Sequence, residues 1–261
     1  MNQAPTPQPK AKTHRTGWLV AGAVLLIVAF FAWQRYRTHE RYRMINDWTH
    51  RGIQVTTRQN IPIWFWKLGP SAFQNHVLMS LFPTVLTEIE SYPLHSDSDD
   101  TSSILSKAEL LQVMNFGDLR HLALKASPFD DELFGKISHL KKLTMFDLGG
   151  NMQEVGEHFD ALLKCPHLTT LGLRKMKITP NGFKTLKTHP AIETLNLDES
   201  EFSDGDFLEL IELKSLKVIS IRRTKVSKEA YRSFRKARPN VYVRINNIGR
   251  ENPSLEYGFL Y

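Results

Sequence analysis

Leu168-Thr169-Thr170-Leu171-Gly172-Leu173 is the clearest statement of a phrase that recurs through the second half of this 261-residue chain. Other copies read Leu119-x-x-Leu122-x-Leu124, Leu143-x-x-Phe146-x-Leu148, Ile192-x-x-Leu195-x-Leu197 and Leu216-x-x-Ile219-x-Ile221, and a worn last copy keeps Val243 and Ile245. The openings Leu119, Leu143, Leu168, Ile192 and Leu216 are evenly spaced, except that one extra residue falls between Leu143 and Leu168. One unit of that length cannot bury its own apolar face, so a fixed period in this range predicts stacked units that share a continuous core.

The second half of each unit keeps the same register. At one constant distance after the opening comes Phe134, Phe183, Phe207 or Tyr231, and one helical turn later Ile137, Leu186, Leu210 or Phe234. In the unit that opens at Leu143 both slip by one place, to Phe159 and Leu162, as one inserted residue requires. Apolar residues at i and i+3 fall on one helical face. Thr179-Pro180, Ser203-Asp204-Gly205-Asp206 and Ser227-Lys228-Glu229 supply helix-start chemistry, a side-chain oxygen for otherwise unpaired N–H groups. Each unit is therefore expected to be a short strand, a turn and an amphipathic helix, and the fold class α/β.

Over residues 119–246 the pattern resembles the leucine-rich-repeat family. The strand phrase matches, and Asn151 stands at the family's asparagine position, whereas the equivalent places hold Ser127, Met176, Ser200 and Thr224. The run Lys164-Cys165-Pro166-His167-Leu168 resembles the cysteine-containing, ribonuclease-inhibitor-like subclass, and the whole layout is similar to membrane-anchored bacterial members. The resemblance implies a short right-handed solenoid with parallel strands on the concave face and helices on the convex face. It implies a buried, filler role for Cys165, and no substrate.

Ahead of the units, Thr16–Gln34 is an unbroken run without a charge, with Trp18 and Trp33 near its ends. At about 1.5 Å per residue a helix of that length spans roughly 28 Å, close to the hydrocarbon thickness of a bilayer. Lys10, Lys12 and Arg15 precede it and Arg35, Arg37, Arg41 and Arg43 follow. Residues 16–34 are accordingly expected to be a single-pass transmembrane helix behind a Pro-rich tail, 1–15. The basic count leans toward repeats on the cytoplasmic side. A basic juxtamembrane connector, 35–60, comes next. Residues 61–118, with Trp64, Phe65 and Trp66, are expected to cap the array and to include a degenerate first unit. Ser106-x-x-Glu109 opens the helix of that unit, and the acidic run Ser96–Ser103 is inserted into it. Residues 247–261 are expected to form a C-terminal cap or tail.

The net charge is +7, but residues 1–51 alone hold +6 and residues 52–261 only +1. That distribution argues for membrane head groups and against nucleic acid. One cysteine excludes an internal disulfide. No phosphate-binding glycine loop, metalloprotease His pair or nucleophile elbow is present, so no enzyme, cofactor, metal or small-molecule substrate is expected. His139, His167 and His189 precede successive openings and are expected to share a local structural role, and acidic runs such as Asp130-Asp131-Glu132 to cap or face solvent.

Strand alternation turns the residues between the leucines outward. The expected partner-binding positions are His121, Met145, Asp147, Thr170, Thr194, Asn196, Val218, Ser220, Tyr242 and Arg244, with Arg174, Asp198 and Arg222 just beyond the strands. Ala123 and Gly172 complete the face. Arg174-Lys175, Asp198-Glu199 and Arg222-Arg223 make a plus–minus–plus stripe that either selects a partner or neutralises itself. The expected function is protein recognition by a membrane-anchored, non-catalytic array. The alternatives are a structural envelope tether or a specificity adaptor in protein turnover.

Overall fold

The computed structural model describes residues 14–59, 84–91, 104–150 and 154–245. The expected cap residues Trp64, Phe65 and Trp66, the acidic run, Asn151 and the C-terminal tail lie outside these. Residues 1–45 with 59–84 form one compact unit, and residues 46–58 with 85–261 form a second.

Helix α1, His14–His50, runs 37 residues without a break. It begins inside the expected tail, contains all of Thr16–Gln34, and continues through the basic stretch expected to be a connector. Among the described residues no helix is long and apolar enough to cross a membrane.

The second unit is mixed α/β, built on an eight-stranded sheet that is mostly parallel. Its strands are β1 (Gln54–Gln59), β2 (Thr84–Ser91), β3 (His121–Lys125), β4 (Met145–Gly149), β6 (Thr170–Arg174), β8 (Thr194–Asn196), β9 (Val218–Ser220) and β10 (Tyr242–Arg244). Neighbours in the sheet follow chain order, and every pair from β2 to β10 is parallel. Two short strands, β5 (Glu154–Val155) and β7 (Lys177–Ile178), pair separately. Helices α2 (Lys107–Val113), α3 (Asp131–Ile137), α4 (Pro180–Leu186), α5 (Asp204–Glu209) and α6 (Lys228–Ala237) alternate with the strands.

The core follows from the phrase. Leu122, Phe146, Leu171, Leu195 and Ile219 stand in one register row and are fully buried, as are the openings Leu119, Leu143, Leu168 and Ile192. Phe134, Phe159, Phe183 and Phe207 are buried behind them, each contributing about 1.5–3 kcal/mol by leaving water. Adjacent rings touch, Phe134 and Phe159 at 5.3 Å between centroids. The last unit departs from expectation: Tyr231 is half-buried, and Phe234, one turn on, stacks on Phe207 at 4.7 Å. The unit with the inserted residue also departs, for its helix is a 3-10 helix, Phe159–Lys164. At three residues per turn Phe159 and Leu162 fall on one face, and both stay inside. In the worn copy Val241 is buried, and Val243 and Ile245 are half-buried.

One turn geometry repeats after the strands. Ala126, Lys175, Glu199 and Arg223 all have φ between 54° and 60°, and Gly150 has φ 105°. The left-handed conformation lets the N–H of Ala126, Gly150, Lys175 and Glu199 donate to the strand-end carbonyls of Gly149, Arg174, Asp198 and Arg222 in the following unit. Those bonds are 2.8–3.0 Å long. Non-glycine residues there cost about 1–2 kcal/mol each, offset by the bond gained. Ser200 does cross-unit work: its Oγ donates to Leu173 O at 2.6 Å and accepts from Met176 N at 3.2 Å.

The two edges close differently. Trp48, at the end of α1, is fully buried, and its Nε1 donates to Glu109 Oε1 at 2.9 Å. Arg51 donates to the same oxygen at 2.5 Å and to Ile104 O at 2.6 Å, while the Ser106 hydroxyl and N–H hold Glu109 Oε2. Residues 46–58, expected to be connector, are thus the N-terminal closure of the array. Strand β2 and helix α2 precede β3 in the chain. Glu88 pairs with His121, a wider offset than later strands keep, and the extra chain falls between Ser91 and Ile104, the stretch that contains the acidic run. At the far edge the Arg238 guanidinium donates to the carbonyls of Ile211, Leu213, Lys214 and Leu216.

Burial alone would raise the Glu109 carboxyl, but the Ser106, Arg51 and Trp48 donors outweigh it and hold the pKa at about 2, below the ordinary 4.5. A depressed acid stabilises the fold fully above its unfolded value and loses that contribution as pH falls through the folded one. Wild-type stability should therefore drop between pH 4.5 and about 2 more steeply than that of Glu109→Gln. Ser200→Ala should cost about 1–3 kcal/mol in urea unfolding, because it strands a buried carbonyl and N–H; an unchanged midpoint would mean that the cross-unit bonds do not form.

Candidate functional site: one face of the parallel sheet

Register decides which expected residues meet. One row reads Glu88, His121, Met145, Thr170, Thr194, Val218, Tyr242, and the next reads Glu90, Ala123, Asp147, Gly172, Asn196, Ser220, Arg244. The first row is half-buried except for exposed Tyr242, whereas the alternate positions Ile89, Leu122, Phe146, Leu171, Leu195 and Ile219 are fully buried and Val243 is half-buried. All ten expected in-strand residues therefore lie on one face of the sheet, nine of them at least partly accessible and Ser220 buried. Seven strands about 4.8 Å apart extend it over roughly 29 Å. Its middle is a shallow depression of about 160 Å³, lined by Met145, Asp147, Thr170, Gly172, Thr194, Asn196, Val218, Ser220 and Arg244.

Small residues shape the floor. A Cβ on Gly172 would lie 2.0 Å from Asp147 Oδ1, so the Asp147 carboxylate leans over the neighbouring strand where glycine leaves room. Asn196 Oδ1 accepts from Asp198 N at 3.0 Å and is partly committed to its own turn. Tyr242 is 52% exposed, and the Arg244 guanidinium sits 5.9 Å from its ring centroid.

Beyond the strand ends much of the charge stripe is consumed internally. Asp198 Oδ1 accepts from Ser220 Oγ at 2.6 Å and from Arg222 N at 2.8 Å, which fixes the end of the next strand. Glu199 receives Arg174 at 2.5 Å, Lys175 at 3.5 Å and Arg223 at 3.5 Å. Arg174, the nearest, holds the Glu199 carboxyl below its usual range. Glu199 thus partly offsets Arg174, Lys175 and Arg223, three cations against one carboxylate, while the Arg222 side chain makes no ion pair among the described residues. The face is left acidic toward Glu88, Glu90 and Asp147 and basic toward Arg222 and Arg244.

No protein-family model and no curated protein matches this chain. What the site does must be read from its own residues.

Glu88 and Glu90 belong to the face but were not expected there. Their strand carries the phrase as Leu86-x-x-Ile89-x-Ser91, with serine in the third apolar place, and its spacing is off period. Glu88 Oε1 lies 3.2 Å from His121 Nδ1, so His121 faces a carboxylate at the acidic end. Among the described residues no group of three or more His, Cys, Asp or Glu could hold a metal. The three histidines do not share a role: His139 and His167 are exposed, and only His189 is buried. The His189 Nε2 lies 3.1 Å from Leu162 O, and its Nδ1 accepts from Ala191 N, which fixes the neutral Nε2–H tautomer. Cys165 fills an equivalent place one unit earlier, its Sγ 3.4 Å from Ile137 O.

Burial pushes the Cys165 thiol up to about 11, only slightly opposed by Lys141. Iodoacetamide at pH 8 should leave Cys165 unmodified in the native chain and alkylate it in urea; fast native alkylation would show that the units separate there. Burial holds His189 below its ordinary 6.5, so its contribution is complete above pH 6.5 and declines as pH falls below that value. The melting temperature should fall from pH 7 to pH 5 more in the wild type than in His189→Gln.

Proposed function

We propose that this chain is a membrane-anchored, non-catalytic leucine-rich-repeat protein that binds another protein across the face of β2–β10. The observation that carries the reading is the aligned face itself. It is a polar, shallow surface about seven strands wide, of the scale of a protein contact rather than of an enclosing small-molecule pocket. The phrase, its regular period and the parallel order support the family assignment, and with it a right-handed solenoid whose strands line the concave side. The polarity from acidic to basic orients a partner of opposite polarity and accelerates encounter more than it adds affinity.

Exposed apolar side chains on α1 support the anchor, for Val24, Leu25, Leu26, Val28 and Phe30 are each at least half exposed. A run of exposed apolar residues marks a surface that belongs against another apolar phase. The basic count favours repeats on the cytoplasmic side. Protease treatment of intact cells should spare a tag placed after Tyr261, and digestion in intact cells would reverse the assigned side.

Proteins cross-linked to the chain through a photoreactive group at Thr194 should vanish with Arg244→Glu or Thr170→Arg. The same variants should keep the parent melting temperature, because these side chains contribute little to the core. Undiminished capture by both variants would remove the face from the interaction and favour a tether whose attachments lie elsewhere.

A further inference from the structure

Charge on the folded unit is strongly polarised, and the balance of +1 over residues 52–261 conceals it. Residues 222–244 hold nine Lys and Arg against one acid, Glu229, a balance of +8. Residues 52–221 hold 16 basic and 22 acidic side chains, a balance of −6. Basic excess is thus confined to the last unit and to residues 1–51.

Little of it is neutralised locally. Arg223 reaches Glu199 at 3.5 Å and Lys225 reaches Glu201 at 3.4 Å. Arg235 and Arg238 donate to backbone carbonyls, which orders the guanidinium groups without cancelling their charge. Lys228, Arg232 and Lys236 make no ion pair among the described residues. They stand at i, i+4 and i+8 on α6, so helical geometry sets them on one stripe, roughly 6 Å apart. That stripe lies across the helix from Ala230 and Phe234, which are buried, and Arg232 and Lys236 are exposed. Like charges one turn apart repel one another, and an array of anions along the stripe relieves the repulsion.

We propose that the α6 stripe rests on the phosphate head groups of an anionic bilayer. The apolar side of α6 is committed to the core, so the contact is electrostatic adsorption and not insertion. The inference rests on the anchored reading above, because an anchored chain always has a bilayer within reach. The cytoplasmic leaflet is the anionic one, and the other basic excess, in residues 1–51, flanks the apolar run. The same surface repels the acidic remainder of the unit, so contact through the last unit is the favoured orientation. Duplex nucleic acid presents similar phosphodiesters, but only the bilayer is held within reach by the anchor.

The test uses the full chain with vesicles of neutral phosphatidylcholine and with vesicles containing about one-third phosphatidylglycerol. Amine acylation at Lys228 and Lys236 is followed by mass spectrometry, with exposed Lys164 and Lys184 as internal references. Anionic vesicles should slow acylation of the two α6 lysines roughly fivefold at low salt, leave the references unchanged, and lose the effect at about 1 M salt. Arg232→Glu should abolish the slowing at Lys228 and Lys236 while the chain stays folded. Equal rates on both vesicles would overturn the proposal, as would slowing by added duplex DNA but not by phosphatidylglycerol. Flotation with neutral vesicles reports the anchor separately. A chain that does not float there, yet is protected by phosphatidylglycerol, loses the anchor and keeps the stripe.

Discussion

Parallel pairing between strands one repeat apart is the constraint on which the folded unit depends. A strand of three to five residues has no stability by itself, and each buries one face only against its neighbours. The left-handed residue after a strand exists to serve this pairing, because it aims an N–H at the carbonyl of the next unit. Ser200, Cys165 and His189 act in the same direction, each reaching back to a carbonyl of the preceding unit. Stability therefore propagates along the stack and is not stored within any single unit.

Such a stack has two exposed ends, and polar clamps close both. At the first, Glu109 collects donors from Trp48, Arg51 and Ser106, joining segments remote in the chain. At the last, one guanidinium of the final unit reaches back to four carbonyls between Ile211 and Leu216, where that unit meets the one before it. A buried carboxylate is costly without donors and strongly held with them. The clamps also leave the sheet face untouched, which frees its side chains for recognition.

Much of this was legible from period alone. The inner rows, the phenylalanines from Phe134 to Phe207 and the outward residues from His121 to Arg244 follow from alternation within a strand and helical spacing behind it. What was not legible depends on contacts remote in sequence. Trp48 sits in a stretch whose composition reads as basic connector, and only its Glu109 partner shows that it belongs to the core. Strand β2 escaped notice because Ser91 replaces an aliphatic residue and the inserted stretch after it breaks the period. Whether Glu199 attracts a partner or neutralises its neighbours was undecidable until the side chains of Arg174 and Arg223 were placed. The charge of the last unit was visible in principle and hidden by averaging.

Hydrogen exchange of the native chain, compared with Phe159→Leu, tests mutual dependence most directly. That change removes ring volume from one unit and leaves every strand hydrogen bond intact. If the units stabilise one another, amide protection should fall in β4, β6 and β8 together, least in β10. Loss confined to Phe159–Lys164, with Leu171 and Leu195 protected as before, would contradict a core shared between units.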